Sequence, residues 1–328
     1  VHVEHIQYPV TGEGKNRVFS PCSLAIGFFD GVHHGHRNVI GRAVESARTG
    51  GLKAAVMTFD PHPREVLKQD SPDASCLAPL GERLKRFAEL GVDLVYVMRF
   101  DTAFAQVSPE SFVKEVLLPL QVKHAVVGFD FTFGHRGEGT SQLLKELSAS
   151  WMNVDIMPPL NRGGLKVSSS YIRESLQEGN VELAAELLGR PYEIIGKVVH
   201  GDARGRTIGF PTANIEPLHA YAALRIGVYA VTVSLLRADK DGEEAVVEAE
   251  YKGMLNHGIK PTFNSGEIRP VLEAHLFSFN GDIYDRNVIV RFHHFLRPER
   301  KFDGINQLIE QLGRDKEQAI RILEKIDL

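Results

Sequence analysis

Cysteine is nearly missing from this chain of 328 residues, which holds Cys22 and Cys76 and no others. A polypeptide of this length with two thiols is not built on a disulfide framework, and two reduced cysteines fit a cytoplasmic protein. Long apolar runs are missing as well. None reaches the ~18–20 residues that a membrane-spanning helix needs. Val1 to Lys15 mixes His, Glu and Lys without the apolar stretch of a signal peptide. Neither sign of charge is in large excess, since 38 Lys and Arg stand against 42 Asp and Glu, a net −4. That balance argues against a nucleic-acid binder working through bulk positive charge, but it leaves room for local basic clusters that hold phosphates. The sequence contains no internal repeat and no low-complexity tract.

What remains is an ordinary globular composition, 43% hydrophobic, enough for a core in each of two domains at roughly 100–200 residues per domain. The first half alternates strand and helix patterns. Ser23–Phe29 is a short apolar run ending in a Gly/Asp turn, and Gly35–Ser46 reads as a helix. Strands are expected at Lys53–Phe59, Leu94–Phe100, His124–Gly128 and Val154–Met157, with helices at Gly81–Leu90 and Pro109–Leu118. Such alternation predicts an α/β doubly wound parallel sheet, with ligands beyond the carboxyl ends of its strands. A short helix at Val181–Leu188, closed by Gly189, ends this region, so the domains are expected at 1–188 and 189–328. The second half changes character. Ile194–His200, Gly227–Leu235, Ala245–Met254, Val271–Phe277 and Asn287–Phe295 are rich in β-branched and aromatic residues between Gly, Asn and Asp turns, which predicts a small antiparallel β-barrel. A C-terminal amphipathic helix follows, with Ile305, Leu308, Ile309 and Leu312 on one expected face and Ala319, Ile320 and Leu323 continuing the spacing. The charged segment Arg237–Glu244 reads as a solvated hairpin loop.

Two constellations in the first half carry chemistry. The run Gly27-Phe28-Phe29-Asp30-Gly31-Val32-His33-His34-Gly35-His36 follows a strand and opens a helix. Backbone N–H groups and the helix dipole at such a terminus face an anion, and the imidazoles of His33 and His36 can donate to the oxygen bridging two phosphates as charge builds there. Gly35 allows close approach of the backbone. Zinc is the competing use of His33, His34 and His36, but no Cys or carboxylate completes a four-ligand set at familiar spacing. Far along the chain, Lys166-Val167-Ser168-Ser169-Ser170-Tyr171-Ile172-Arg173 places serine hydroxyls before a helix and an arginine one turn in. Taken alone, those serines would serve as an ordinary helix cap.

Together the two runs resemble the nucleotidylyltransferase superfamily. They resemble most the FMN adenylyltransferase module of bacterial bifunctional riboflavin kinase/FAD synthetases, marked by GxFDGVHxGH and an SSTxIR-like motif. Thr58-Phe59-Asp60-Pro61-His62-Pro63 and Gly128-Phe129-Asp130-Phe131-Thr132-Phe133-Gly134 match two further segments of that module. The resemblance implies that catalytic His33 and His36 contact ATP phosphates within a turn that includes Gly27, Phe28, Asp30, Gly31 and Gly35. It implies that Ser169, Ser170 and catalytic Arg173 bind the triphosphate, and that His62, Pro63, Asp130 and Phe131 line the flavin side. Ser170 stands where many relatives have Thr and keeps the hydroxyl.

In the second half, Gly201-Asp202-Ala203-Arg204-Gly205-Arg206-Thr207-Ile208-Gly209-Phe210-Pro211-Thr212-Ala213-Asn214 combines a cationic glycine loop with Thr212 and Asn214 at i, i+2, on one face of an extended segment. Two neutral oxygens on one face suit Mg²⁺, although a Gly/Arg loop alone is often plain surface. The run resembles the GxxRGRxxGFPTAN signature of riboflavin kinases, and Leu272-Glu273-Ala274-His275 matches their LExH strand. Gly227–Val231, Lys260-Pro261-Thr262-Phe263 and Phe295–Phe302 also match. The resemblance implies Gly205 and Arg206 on ATP, Thr212 and Asn214 on Mg²⁺, and Glu273 as general base toward the riboflavin 5′-hydroxyl. The implied reactions are phosphorylation of riboflavin to FMN and adenylylation of FMN to FAD, both from ATP, without nucleic-acid or membrane partners. Departures gather in this half. His257 stands where an aliphatic residue is usual, no Pro occurs in Tyr221–Ile226, Asp285 replaces a usual Gly after Tyr284, and Arg237–Glu244 looks long.

Overall fold

The computed structural model describes residues 1–10, 19–67, 75–201, 204–237, 246–261 and 268–326. Beyond Arg237, the expected hairpin loop lies outside the described residues, as do Asp202, Ala203, Thr262 and Phe263. The chain forms two compact units, residues 1–169 and 170–328.

The first unit runs β1 (His2–Ile6), β2 (Cys22–Ile26), α1 (His34–Gly50), β3 (Lys53–Asp60), a single turn α2 (Pro63–Leu67), α3 (Leu80–Glu89) and β4 (Leu94–Arg99). It continues with α4 (Pro109–Ser111), which passes into a π-helix at Phe112–Leu117, then β5 (Val122–Gly128), β6 (Thr132–Phe133) and β7 (Gly139–Thr140). The unit closes with α5 (Ser141–Ser148), β8 (Asn153–Met157), and the two-residue strands β9 (Asn161–Arg162) and β10 (Leu165–Lys166). Six strands make one parallel sheet in the order β1-β4-β3-β2-β5-β8. The order reverses at β2, between β3 and β5. Both faces of the sheet are covered, which is why its strands read as continuous apolar runs rather than alternating ones. Leu24, Ile26, Met57, Tyr96, Met98 and Val127 face one core layer, and Ala25, Val56, Val95, Val97 and Val126 face the other, under Ile40, Ala43 and Ala47 of α1. Gly51, at φ +64, ends α1 by returning its N–H to the carbonyl of Ala47, a left-handed cap that suits glycine.

The second unit begins with α6, whose first residue Ser169 closes the first unit and which runs to Glu178. It is followed by α7 (Val181–Leu188), capped by the Asn180 side chain at one end and by Gly189, at φ +76, at the other. Then come β11 (Tyr192–Val199), a turn of helix α8 (Arg204–Thr207), β12 (Ala213–Pro217), β13 (Gly227–Arg237), β14 (Val246–Pro261), β15 (Ile268–Leu276), β16 (Asn287–Arg297) and α9 (Ile305–Leu323). The strands close into an antiparallel barrel in the order β11-β12-β15-β14-β13-β16. Tyr192, Tyr229 and Phe292 are fully buried, and Phe292 packs against both tyrosine rings.

Helix α9 lies on the barrel through Ala319 and Leu323, against Ala230 and Met254. Its buried face is not the expected one at the N-terminal end, where Ile305 is 59% and Ile309 37% exposed. Leu312, on the expected face, does pack inward, and the stripe continues through Asp315, a carboxylate only 1% exposed. Asp315 is held by Arg297 of β16 through Nε and Nη2, at 2.9 and 2.7 Å, and by the Gln311 amide at 2.6 Å. Removing one partner of a buried ion pair leaves the other uncompensated, typically at a cost of about 3–5 kcal/mol. Asp315→Ala is therefore expected to lower the melting temperature of this unit in a calorimetric scan. A transition unchanged from the parent protein would count against the ion pair as the anchor of α9.

The departures of the second half find local reasons. Asp285 adopts φ +61, a conformation Asp tolerates better than most residues, and its carboxylate pairs with Lys197 of β11 at 2.7 Å. His257 is buried, and its Nδ1 lies 3.1 Å from the carbonyl of Arg225. A carbonyl only accepts, so Nδ1 carries the proton. The ring thereby holds the segment before β13, in which Tyr221–Ile226 contains no Pro.

Candidate active sites

The turn after β2 leaves the sheet at its switch point, where doubly wound sheets place ligands. Its backbone is strained: Phe29, Gly31 and Val32 have φ of 57, 79 and 45°. Positive φ is ordinary for Gly31 but an outlier for β-branched Val32. Conformations of this kind cost about 1–3 kcal/mol each and gather at functional sites. His33 then caps α1, its Nδ1 accepting from the backbone N–H of His36 at 3.2 Å. The two imidazoles stack at 3.6 Å between centroids. Burial pushes His36 well below the ordinary imidazole range, and the His33 and Arg83 charges add to the effect. Its Nδ1 is sealed from solvent and has no hydrogen-bond partner among the described residues. Burial therefore favours the neutral form of the ring.

The late motif returns to this turn. Ser169 Oγ donates to the carbonyl of Asp30 at 3.0 Å, and a side chain on Gly35 would come within 3.7 Å of the Val167 carbonyl and 3.1 Å of the His33 ring. The Asp30 carboxylate itself is buried, where Oδ1 accepts from the backbone N–H groups of Leu77 and Ala78. It thus pins the segment before α3 to the turn. Ser170 and Arg173 follow on α6, one turn of the same helix.

Beside the turn lies a cavity of about 690 Å³ walled by Phe28, Phe59, Pro63, Phe104, Phe112 and Phe131. Gly27 also borders it. Phe131 stacks with Phe133 at 14° between planes. Of the four residues expected on the flavin side, Pro63 and Phe131 line this cavity. His62 stands behind its wall, 4.0 Å from Phe28 between ring centroids, and Asp130 is exposed and paired with Lys166 at 3.2 Å. Sequence reasoning missed Phe104 and Phe112, which lie outside every quoted motif, and gave Phe59, inside the Thr58–Pro63 segment, no place in the wall.

In the second unit, two clefts meet at Thr212. One, about 350 Å³, is bordered by Gly205, Phe210, Glu273, Arg297, Leu308 and Leu312. The other, about 430 Å³, is bordered by Arg206, Ala213, Phe279, Asp282 and Tyr284. Gly205 is required by close approach, since a Cβ there would stand 2.2 Å from the Phe210 carbonyl. Arg206 Nη2 donates to the Tyr284 hydroxyl at 3.0 Å, and Tyr284 stacks on His200. Across the sheet, Glu273 of β15 is in register with Asn214 of β12 on one side and Asn256 of β14 on the other. Directly opposed residues share a face, so a carboxylate sits between two amides. His275, two residues on, donates from Nδ1 to the Pro211 carbonyl at 2.8 Å and fixes the start of the Pro-Thr-Ala-Asn run. Sequence reasoning assigned no site role to Asn256 or to His275 of the Leu-Glu-Ala-His strand, and strand register with the Pro211 contact shows where they stand. No cluster of three His, Cys, Asp or Glu able to hold a metal occurs among the described residues.

A switch-point histidine turn on a parallel sheet, followed by a barrel cleft that joins a strand glutamate to a Thr-x-Asn pair, defines a two-module transferase working on nucleotide phosphates. Residues 15–171 match the FAD synthetase family and residues 188–323 the riboflavin kinase family. The chain is 41% identical over 327 residues to the bifunctional riboflavin kinase/FMN adenylyltransferase of Bacillus subtilis, covering 99% of this chain and 98% of that one. It is 39% identical over 297 residues to the protein of that name in Escherichia coli, covering 90% of each. A crystal structure described as a macrolide-efflux protein from Streptococcus pneumoniae superposes with a TM-score of 0.83 at 33% identity, over 96% of this chain and 98% of that one. Its description names transport, whereas no described helix of the present chain is long and apolar enough to cross a membrane. The chain belongs to the bifunctional riboflavin kinase/FMN adenylyltransferases.

Proposed function

We propose that the two reactions of this family, riboflavin to FMN and FMN to FAD, run at the two separate sites described above, each with ATP as co-substrate. The observation that carries the reading furthest is the register that puts Glu273 opposite Asn214, in a barrel whose adjoining clefts share Thr212. Riboflavin occupies the cleft bordered by Glu273 and the apolar face of α9, and ATP the cleft bordered by Arg206 and Tyr284. Glu273 accepts the proton of the 5′-hydroxyl as its oxygen attacks the γ-phosphorus, the bond from that phosphorus to the β-phosphate oxygen breaks, and ADP leaves. Gly205 and Arg206 close over the phosphates. Thr212 and Asn214 supply neutral oxygens of the kind Mg²⁺ takes beside phosphates and water. When bound, the ion would offset charge on the transferred phosphoryl group.

At the other site the FMN phosphate oxygen attacks the α-phosphorus of ATP, and pyrophosphate leaves. His33 and His36 face the triphosphate at the N-terminus of α1, and Ser169, Ser170 and Arg173 complete its binding. The flavin ring enters the phenylalanine-walled cavity, with Pro63 and Phe131 against it and His62 and Asp130 at its margin. We take the adenylyltransferase module to extend through Leu188 and the kinase module to span 189–328. The protein's partners on this reading are flavins and ATP, without nucleic acid or membrane, and two free cysteines suit a cytoplasmic setting.

The test is a chromatographic time course of riboflavin with excess ATP, run with Mg²⁺ and with a chelator. FMN is expected to rise and give way to FAD with the metal, and neither product should form without it. Riboflavin left untouched while added FMN becomes FAD would sink the kinase half of the reading.

A further inference from the structure

Arg83 of α3 belongs to no motif, yet it is 2% exposed and lies directly beneath the nucleotide turn. Its Nη1 donates to the Phe28 carbonyl at 2.8 Å and to Thr58 Oγ1 at 2.5 Å, and Thr58 Oγ1 in turn donates to the same carbonyl at 2.9 Å. The guanidinium carbon sits 4.3 Å from the centroid of the Phe28 ring, which also packs on His62. Four residues on, Phe87 packs edge-on against Phe29, and Phe29 packs edge-on against His36. One helix therefore supports both aromatic residues of the turn, the one that walls the flavin cavity and the one that touches His36.

A buried guanidinium is costly to desolvate, and its Nε has no hydrogen-bond partner among the described residues. Burial lowers its own affinity for a proton, while Asp30, Cys76 and Asp60 oppose that shift. The charged or titratable groups that act on His36 are His33 from its own turn and Arg83 from α3. Adding a second proton to the His36 ring would leave the sealed Nδ1 without an acceptor and would be opposed by the Arg83 charge.

We propose that Arg83 is a positioning residue for adenylyl transfer. It fixes the carbonyl and ring of Phe28 between the flavin cavity and the histidine turn, and the same helix, through Phe87 and Phe29, holds the His36 ring where the phosphates arrive. The proposal rests on the assignment of His36 to ATP.

The experiment uses the full chain with Arg83→Met, which keeps the length and loses the charge, and Arg83→Lys, which keeps the charge. Three readouts are taken: the ¹⁵N NMR titration of the His36 ring, identified by its disappearance in His36→Gln; steady-state FAD formation from FMN; and FMN formation from riboflavin as a control for folding. Wild-type His36 is expected to stay neutral through the pH range near 6.5 where an ordinary imidazole titrates. In Arg83→Met its midpoint should move to higher pH, because a like charge has been removed. FAD formation should fall roughly tenfold or more as the turn shifts. Arg83→Lys should keep the low midpoint and recover most of the rate. An Arg83→Met protein that forms FAD from FMN at the wild-type rate overturns the proposal. So does equal loss of both activities in both variants, which would make Arg83 a folding residue. Undiminished FAD formation by His36→Gln would instead remove the assignment of His36, leaving the hold on Phe28 as a separate fact.

Discussion

Glu273→Gln is expected to lower riboflavin phosphorylation by about 10²–10⁴, the range a general base contributes, and to leave FMN adenylylation at its parent rate. The substitution keeps the shape of the side chain and its place between Asn214 and Asn256, so the barrel should fold and the riboflavin cleft should remain. What it removes is the acceptor for the 5′-hydroxyl proton. The loss should therefore appear in kcat, with little change in KM for riboflavin, and should persist at saturating ATP and Mg²⁺. Phosphorylation at near-parental rates would show that Glu273 is an orienting or outward-facing strand residue, and that the base must be sought elsewhere along the cleft.

The mirror experiment is His36→Ala. Loss of one preorganised donor to developing phosphate charge typically costs about 10²–10³ in rate, so FAD formation from FMN should nearly vanish while FMN formation from riboflavin continues. In a time course that starts from riboflavin, FMN should accumulate as an end product. The effect should exceed that of His34→Ala, because His34 is the residue of the triplet whose ring reaches away to Arg162. If His36→Ala damages both reactions equally, the two chemistries are not separate, and the reading of two sites fails.

Much of this was legible in the sequence, and the reasons differ by element. Strands β2 to β5 announced themselves because a parallel sheet covered on both faces admits little but apolar residues. The histidine turn was visible because phosphate binding at a helix start demands glycines and donors at fixed spacing. Strand β1 was missed because His2–Ile6 is an edge strand, largely polar and only partly buried. Strand β12 was missed because Ala213–Pro217 has five residues, begins within the Thr-x-Asn motif and ends in Pro, all of which read as loop. The inward face of α9 was misjudged at its start for a different reason. The buried stripe passes through Asp315, and a hydrophobic pattern cannot register a carboxylate that is buried because an arginine on another strand neutralises it. Phe104, Phe112 and Arg83 were out of reach, since their partners are assembled by topology from segments that share no local pattern.

The sheet of the first unit is sealed on both faces, and this sets where change can accumulate in such a protein. A charged or oversized residue in β2 to β5 has nowhere to go, so the scaffold is closed to experiment. The connections leaving the carboxyl ends of the strands are under no such restriction. A lineage could therefore reshape the flavin cavity through Phe104, Phe112 and Phe131, all on those connections, and so explore new acceptors while inheriting the histidine turn and its supports unaltered.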